Sequence, residues 1–407
     1  MSLLIRDARV VTVAGSPGLR RGVAMSEIGI IDHADVLVRG DSIEAVVHGG
    51  ETEPPANATT IEACGRVLLP GFVDCHTHAC WAGDRLDEWE TKLRGETYLD
   101  TLRRGGGIMA TVRAVRAAGE SELAEHLAER LSRAMRSGTT TIEVKSGYGL
   151  TTADELKMLR AIRHAGDSWD GTVVPTACIG HAIDPDVPRD AFIRRTIEET
   201  LPAVSAEFPG IAIDAYCERG AWTVEECVRL FEAAAQRGHP CRVHADQFSR
   251  LGMTAESAAR GFVSVDHLEA SDPGEVGAVA TSQTAAVLLP CSGFHLDGRY
   301  ANGRQIIDAG GAVALATNWN PGSAPCGSVP MAIALGVRMC GLNVAEAVCA
   351  ATVNGAGVLG LRDRGVIAPG MRADLVLLRH TDVRMLAWEF GMDAIDRVIS
   401  GGHVVST

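Results

Sequence analysis

The sequence predicts an α/β fold, a (β/α)8 TIM-type barrel with a small β-sandwich domain built from both ends of the chain. Three observations predict it. Eight short apolar runs recur near residues 68–74, 139–145, 172–178, 211–217, 241–244, 262–266, 285–289 and 312–317, with helical stretches between most of them. The two ends of the chain are instead rich in short strands and turns. The C-terminal ends of the eight runs carry polar side chains, histidines above all, and that is where a barrel keeps its chemistry. The expected boundaries are 1–65 with 366–407 for the β domain and 66–365 for the barrel.

The elements follow in order. Residues 3–13 are a β-rich run, and residues 35–40 and 43–47 flank a Gly40-Asp41 turn, as in a hairpin. Residues 121–136 repeat apolar side chains near the helical period, and residues 223–237 do so behind Thr223 and Glu226, a capping-box pair. Residues 373–378 read as a strand and 397–405 as a second hairpin. A doubly wound open sheet is the competing fold. It calls for a glycine-rich phosphate turn after an early strand, and Gly105-Gly106-Gly107 follows no strand.

Composition removes several classes of function. The chain has 407 residues, 46% hydrophobic and 22% charged, which excludes a disordered protein. Its net charge of −13 argues against nucleic acid or an anionic membrane as partner. No apolar run approaches the ~18 residues of a membrane span. The start shows no secretory pattern, so a cytoplasmic protein is expected. Eleven scattered cysteines without a Cys-x-x-Cys pair read as reduced thiols packed as small hydrophobes.

The strand ends carry the chemistry. His76, His78, His181, His244 and His267 all fall there, five of the thirteen histidines. His76 and His78 stand two apart on a strand, so both imidazoles point the same way and can reach one metal ion. A nitrogen from His244 completes a three-histidine set with open positions, suited to catalytic zinc, with iron or manganese as other fits.

Pro70-Gly71-Phe72-Val73-Asp74-Cys75-His76-Thr77-His78 resembles the first-strand motif of the amidohydrolase superfamily. The chain is more closely similar to its imidazolonepropionase family. That resemblance rests on Ala82-Gly83-Asp84-Arg85, Gly105-Gly106-Gly107-Ile108 and Glu143-Val144-Lys145-Ser146-Gly147-Tyr148-Gly149-Leu150. It continues through Val243-His244-Ala245-Asp246-Gln247, Asp266-His267-Leu268-Glu269 and Asn320-Pro321-Gly322-Ser323, and so spans nearly the whole chain. The family hydrolyses an imidazolone ring that carries a propionate arm. The resemblance implies one divalent metal on His76, His78 and His244. It implies that Arg85 and Tyr148 hold the substrate, Arg85 by paired bonds to a carboxylate. His181 and Gln247 would contact the ring or the transition state, and His267 would polarise or protonate. Asn320, Gly322 and Ser323 would bind the carboxylate arm. Lys145 lies too early in the barrel for the bridging lysine of binuclear relatives, so one metal is expected. A small-molecule substrate and a homodimer are the partners the family implies.

The chain departs from the family in one region. The eighth strand ends in Asn318, where the family has an aspartate that touches the metal and moves the proton. An amide can offer an oxygen to the metal but cannot accept a proton near neutral pH. The seventh strand leads into Pro290-Cys291-Ser292-Gly293-Phe294-His295, where the family shows Gly-Ala-Phe-Tyr, and Cys326 stands in the loop after the eighth. Three readings stay open: a natural relative with another ring substrate, an Asp→Asn inactivated variant of the parent activity, and a metal-containing binder of small carboxylates without turnover. For the first, the thiols Cys291 and Cys326 join Asn318, Gln247 and His267 as candidate catalytic groups. The substrate it suggests is the 2-thioxo ring propionate of ergothioneine breakdown, which would release sulfide.

Overall fold

The computed structural model describes residues 2–15, 18–49, 52–55, 57–95 and 106–405. Gly105 of the glycine triplet lies outside them. Five strands open the chain: β1 (Ser2–Val11), β2 (Ile30–Arg39), β3 (Ser42–His48), β4 (Thr59–Glu62) and β5 (Val67–Pro70). Eight follow in the middle: β6 (Phe72–Asp74), β7 (Thr139–Lys145), β8 (Thr172–Gly180), β9 (Ala212–Cys217), β10 (Cys241–Ala245), β11 (Ser264–His267), β12 (Ala285–Leu288) and β13 (Val313–Leu315). Three end it: β14 (Leu375–Leu378), β15 (Ile395–Ser400) and β16 (His403–Val405).

The middle eight form one parallel sheet in sequence order from β6 to β13. A parallel bridge between Thr77 and Trp319 brings its two edges together just beyond the strand ends. There His78 N–H donates to the Trp319 carbonyl at 3.0 Å, and Asn318 N–H to the His76 carbonyl at 3.0 Å. Below them Thr317 donates twice to the buried Asp74 carboxylate, from its backbone N–H at 3.0 Å and its hydroxyl at 2.6 Å. The seam of the barrel therefore runs through the predicted ligands.

Helices between the strands follow the predicted periods. The helix Glu120–Arg136 buries Leu123, Leu127 and Leu131 on one face. Its acidic first turn and basic last turn both suit the helix dipole. The helix Val224–Ala235 starts at Thr223, whose capping box with Glu226 is complete.

Strands from both ends pair into a mixed sheet in the order β16-β15-β14-β5-β1-β2-β3, with β4 alongside β1. β5 and β14, inside this sheet, are apolar and buried throughout because both faces are covered. Leu68, Leu375 and Leu377 face a core of the sheet's own with Ile5, Val36 and Val38. Val67, Leu69, Val376 and Leu378 face the barrel side.

Residues 68–74, read from sequence as one barrel strand, divide at Gly71. Val67–Pro70 pairs with β14 and β1, and Phe72–Asp74 pairs with β7. Gly71 is required at the division, since a β carbon there would lie 2.2 Å from Thr140 Oγ1. A second difference concerns the seventh strand. Pro290 begins a helix, Pro290–Leu296, so Cys291 and Ser292 sit on its first turn rather than at a strand end. Among the described residues no helix is long and apolar enough to cross a membrane.

Candidate metal centre and active site

Three imidazoles meet at the top of the barrel, and their ligand nitrogens all lie within 4.8 Å of one another. His76 and His78 follow β6, and His244 lies on β10. All three are buried. Nδ1 of His76 sits 2.5 Å from Asp266 Oδ2, and Nδ1 of His244 sits 2.9 Å from Asp214 Oδ1. A carboxylate only accepts, so both protons reside on Nδ1 and both Nε2 atoms present lone pairs. This is how metal-bound histidines are oriented by carboxylates behind them. Burial holds the pKa values of His76 and His78 well below 6.5, which keeps their lone pairs available.

The donor set fits a cation. His76 Nε2 and Asn318 Oδ1 are buried with no protein partner, and the Nε2 atoms of His78 and His244 face each other at 3.0 Å. Such orphaned acceptors are costly unless something positive lies between them. The amide of Asn318 turns its Nδ2 away, donating to Ser292 Oγ at 2.7 Å.

A fully buried layer of charge supports these ligands. Lys145 Nζ bridges Glu143 Oε1 at 2.6 Å and Asp214 Oδ2 at 2.7 Å. Arg242 donates to Glu143 Oε1 at 2.6 Å, to Asp266 Oδ2 at 2.8 Å and to the Cys75 carbonyl at 2.8 Å. Burial works against the charge on Lys145, but Asp214 and Glu143 hold its pKa above the usual value, so it is an ammonium. Burial likewise opposes the charge of Asp214, yet His244 and Lys145 keep its pKa well below normal. Glu143, Asp214, Arg242 and Asp266 were given no role from sequence. Their signal was present: each stands at the alternate position of a short strand, two residues from another polar side chain. In a barrel strand that period means an inward-facing polar group.

The remaining predicted residues divide. His181 stacks on His78 with ring centroids 4.6 Å apart and donates from Nδ1 to the Gly147 carbonyl at 3.0 Å. His267 lies with its ring centroid 6.0 Å from that of His76 and donates from Nδ1 to the Glu269 carboxylate at 3.0 Å. Burial keeps the His181 ring neutral, so its Nε2 carries a lone pair and is an acceptor. The Glu269 carboxylate fixes the orientation of His267. Tyr148 is buried beside His78 and His181. Gln247 Oε1 accepts from the Tyr216 hydroxyl at 2.8 Å, which leaves its NH2 group to donate.

Arg85 is braced by Glu88, to which it donates from Nε at 2.6 Å and from a second guanidinium nitrogen. It borders the Asn320–Ser323 loop, where a β carbon on Gly322 would meet Arg85 Nη1 at 2.8 Å. Asn320 does not face outward from that loop. Its Nδ2 donates to the Asn318 carbonyl at 2.6 Å and to Ser323 Oγ at 2.8 Å. Its Oδ1 accepts from the backbone of Gly322 and Ser323. Asn320 thus shapes the loop, and Ser323 is partly tied up with it.

Cys291 and Cys326 hydrogen bond to each other within a cluster that includes Ala324, Ala332 and Leu335. The bond from Cys291 lowers the Cys326 thiol to about 7. Neither belongs to a converging donor group among the described residues. The thiol that does is Cys178, within 4.8 Å of donor atoms on Asp214 and His244. Cys178 had been read from sequence as packing. Asp246, His267, Leu268 and Asn318 all have positive φ, from +55° to +90°. Such backbone costs about 1–3 kcal/mol per residue and collects where function fixes the geometry.

Acid should destabilise this site. Burial, with His244 nearby, lowers the pKa of His181 from 6.5 to about 3. Below pH 6.5 the unfolded chain takes up protons that folded His76, His78 and His181 refuse. Stability is therefore full above 6.5 and lost as pH falls toward about 3. The melting temperature of metal-free protein, followed by circular dichroism, should drop steadily below pH 6.5. A midpoint unchanged down to about pH 5 would show that these rings protonate within the fold.

Comparison with known proteins agrees with this architecture. Residues 67–405 match the profile described as "Amidohydrolase family". The imidazolonepropionase of Deinococcus radiodurans is 44% identical over 386 residues, 95% of each chain. That of Chloroflexus aggregans is 42% identical, covering 100% of this chain and 98% of its own. Among solved structures, a triazine hydrolase variant superposes with a TM-score of 0.73 at 19% identity, covering 99% of this chain and 94% of that one. An atrazine chlorohydrolase from Arthrobacter aurescens complexed with zinc gives 0.71 at 18% identity, with the same coverage.

Proposed function

The chain belongs to the amidohydrolase family, through its imidazolonepropionase-like members, and is a hydrolase of cyclic amide-type bonds; from that premise we propose that its substrate is an imidazolone-type five-membered ring with a propionate arm, 2-thioxo at the ring. His76, His78, His244 and Asn318 would hold one divalent ion, for which we propose zinc. When bound, such an ion supplies Lewis acidity and brings the pKa of a water molecule near neutrality.

One observation carries the proposal: no free carboxylate stands among the ligands. Positions 247 and 318 are amides, while Asp214, Asp266 and Glu143 are each engaged by Lys145 or Arg242. Opening a plain imidazolone requires a proton delivered to a departing ring nitrogen. A thioxo carbon spares the ring nitrogens. Water oxygen joins the ring carbon, one water proton passes to sulfur and the other to a neighbouring acceptor, the C–S bond breaks, and sulfur leaves as hydrosulfide, giving the 2-oxo ring. Arg85 would hold the carboxylate arm, the Gln247 NH2 group would donate to the ring, and the lone pairs of His181 and His267 would accept from N–H or water. The thiols Cys291 and Cys326 are not needed for this chemistry.

A second reading, hydrolysis of the plain ring as the relatives' name states, is favoured by the His267–Glu269 pair. In that pair the carboxylate orients the imidazole through Nδ1, so a neutral His267 would serve as a base through Nε2. The two readings separate when zinc-loaded protein is given each ring in turn, with sulfide and ring absorbance both followed. Sulfide from the thioxo ring, with slow opening of the plain one, is the expected result. Rapid opening of the plain ring without sulfide from the other would establish the second reading. No turnover of either would leave a carboxylate binder.

A further inference from the structure

Among the described residues, Ser292 makes the one hydrogen bond seen to the Asn318 side chain. We propose that Ser292 is a positioning residue that turns Asn318 into a neutral metal ligand. The inference rests on the metal site of the preceding reading but not on which ring is hydrolysed.

The argument begins with the two ends of an amide. One end carries an oxygen lone pair, the other two N–H hydrogens, and they differ little in shape. Facing a cation, the wrong end is repelled. A carboxylate at this position would have no such ambiguity, because either oxygen serves. An amide needs a partner for its NH2 on the side away from the ion. Ser292, buried on the first turn of the Pro290–Leu296 helix, supplies it: Nδ2 donates to Ser292 Oγ at 2.7 Å, and Oδ1 is left buried without a partner. The backbone of Asn318 is fixed independently. Its N–H donates to the His76 carbonyl at 3.0 Å, and its carbonyl accepts from Asn320 Nδ2 at 2.6 Å. Only the amide rotation remains to be set, and Ser292 sets it.

The consequence is electrostatic. Three imidazoles and an amide are all neutral, so an ion held by them keeps its full charge. Beneath them, Glu143, Asp214 and Asp266 outnumber Lys145 and Arg242 by one negative charge. A carboxylate at 318 would add a second. The pair at 292 and 318 thus makes a more electropositive centre than an aspartate would, better suited to receive an anion such as a sulfur leaving group.

The test uses the full-length chain stripped of metal and titrated with zinc against a competing chelator. Ser292→Ala should weaken zinc binding about 10–100-fold, as loss of a group that orients a ligand does. Asn318→Ala should weaken it at least as much. In the Asn318→Ala background, Ser292→Ala should have no further effect, since the two act as one unit. The melting temperatures of the metal-free variants should match the parent, which separates positioning from a folding role. Wild-type affinity in Ser292→Ala, or losses that simply add in the double variant, would overturn the proposal while leaving the metal site intact. Absence of zinc binding in the parent would overturn this inference and the metal site together.

Discussion

Replacing Arg242 with methionine is expected to destabilise the metal-free protein by about 3–5 kcal/mol, the cost of breaking a buried ion pair from one side. The guanidinium is fully buried and joins Glu143, Asp266, Ser264 and the Cys75 carbonyl in one fork. Methionine matches much of its volume but leaves Asp266 facing His76 with its cationic partner gone. Glu143 keeps Lys145 and suffers less. Urea unfolding of the metal-free variant measures the loss. Adding Asp266→Asn to the same chain should recover part of it, because the stranded charge is then removed. A destabilisation below about 1 kcal/mol would mean that the layer is solvated rather than dry, as exposed ion pairs are.

Replacing Asn318 with aspartate is expected to raise the rate of plain imidazolone opening by about 10²–10⁴-fold, the usual worth of a positioned general base. The neighbours are already in place. Ser292 Oγ lies within hydrogen-bond reach and can donate to a carboxylate as readily as it accepts from an amide. The backbone of Asn318 is pinned on both sides and its φ of +55° suits Asn and Asp alike. Sulfide release from the thioxo ring should gain far less, since its sulfur can take one of the attacking water's own protons and leave as hydrosulfide without any ring nitrogen being protonated. Initial rates on both rings, compared at one zinc concentration, give the ratio directly. An unchanged rate on the plain ring would show that His267 already serves as the base, and would favour the second reading of function.

Much of this was legible in the sequence because it depends on local pattern. His76 and His78 announce themselves by a spacing of two, Thr223 and Glu226 by a spacing of three, and the barrel by the recurrence of its short runs. The charge layer was not legible in the same way. Glu143, Asp214, Arg242 and Asp266 come from four strands, and only closure of the barrel brings them together. Nor does sequence reveal which end of an imidazole carries the proton. For His181 that depends on the Gly147 carbonyl, which takes its Nδ1 proton and leaves Nε2 as an acceptor. Nor does sequence reveal that the Asn320 side chain is satisfied within its own loop. Cys291 and Cys326 drew attention by being unusual, but their partner is each other. Cys178, packed among apolar neighbours in sequence, lies within 4.8 Å of donor atoms on Asp214 and His244.

The division at Gly71 bears on how the chain is made. β5 has β14 as one neighbour, more than three hundred residues later in the sequence, and β6 follows immediately to begin the barrel. During synthesis the first barrel strand therefore emerges attached to a strand one of whose two neighbours does not yet exist. Until residues 375–378 leave the ribosome, β5 presents an open edge that invites pairing with other chains. Such long-range closure slows folding. β14 acts as a clasp, and a message truncated before residue 375 would yield a protein that holds its histidines but cannot shield this edge.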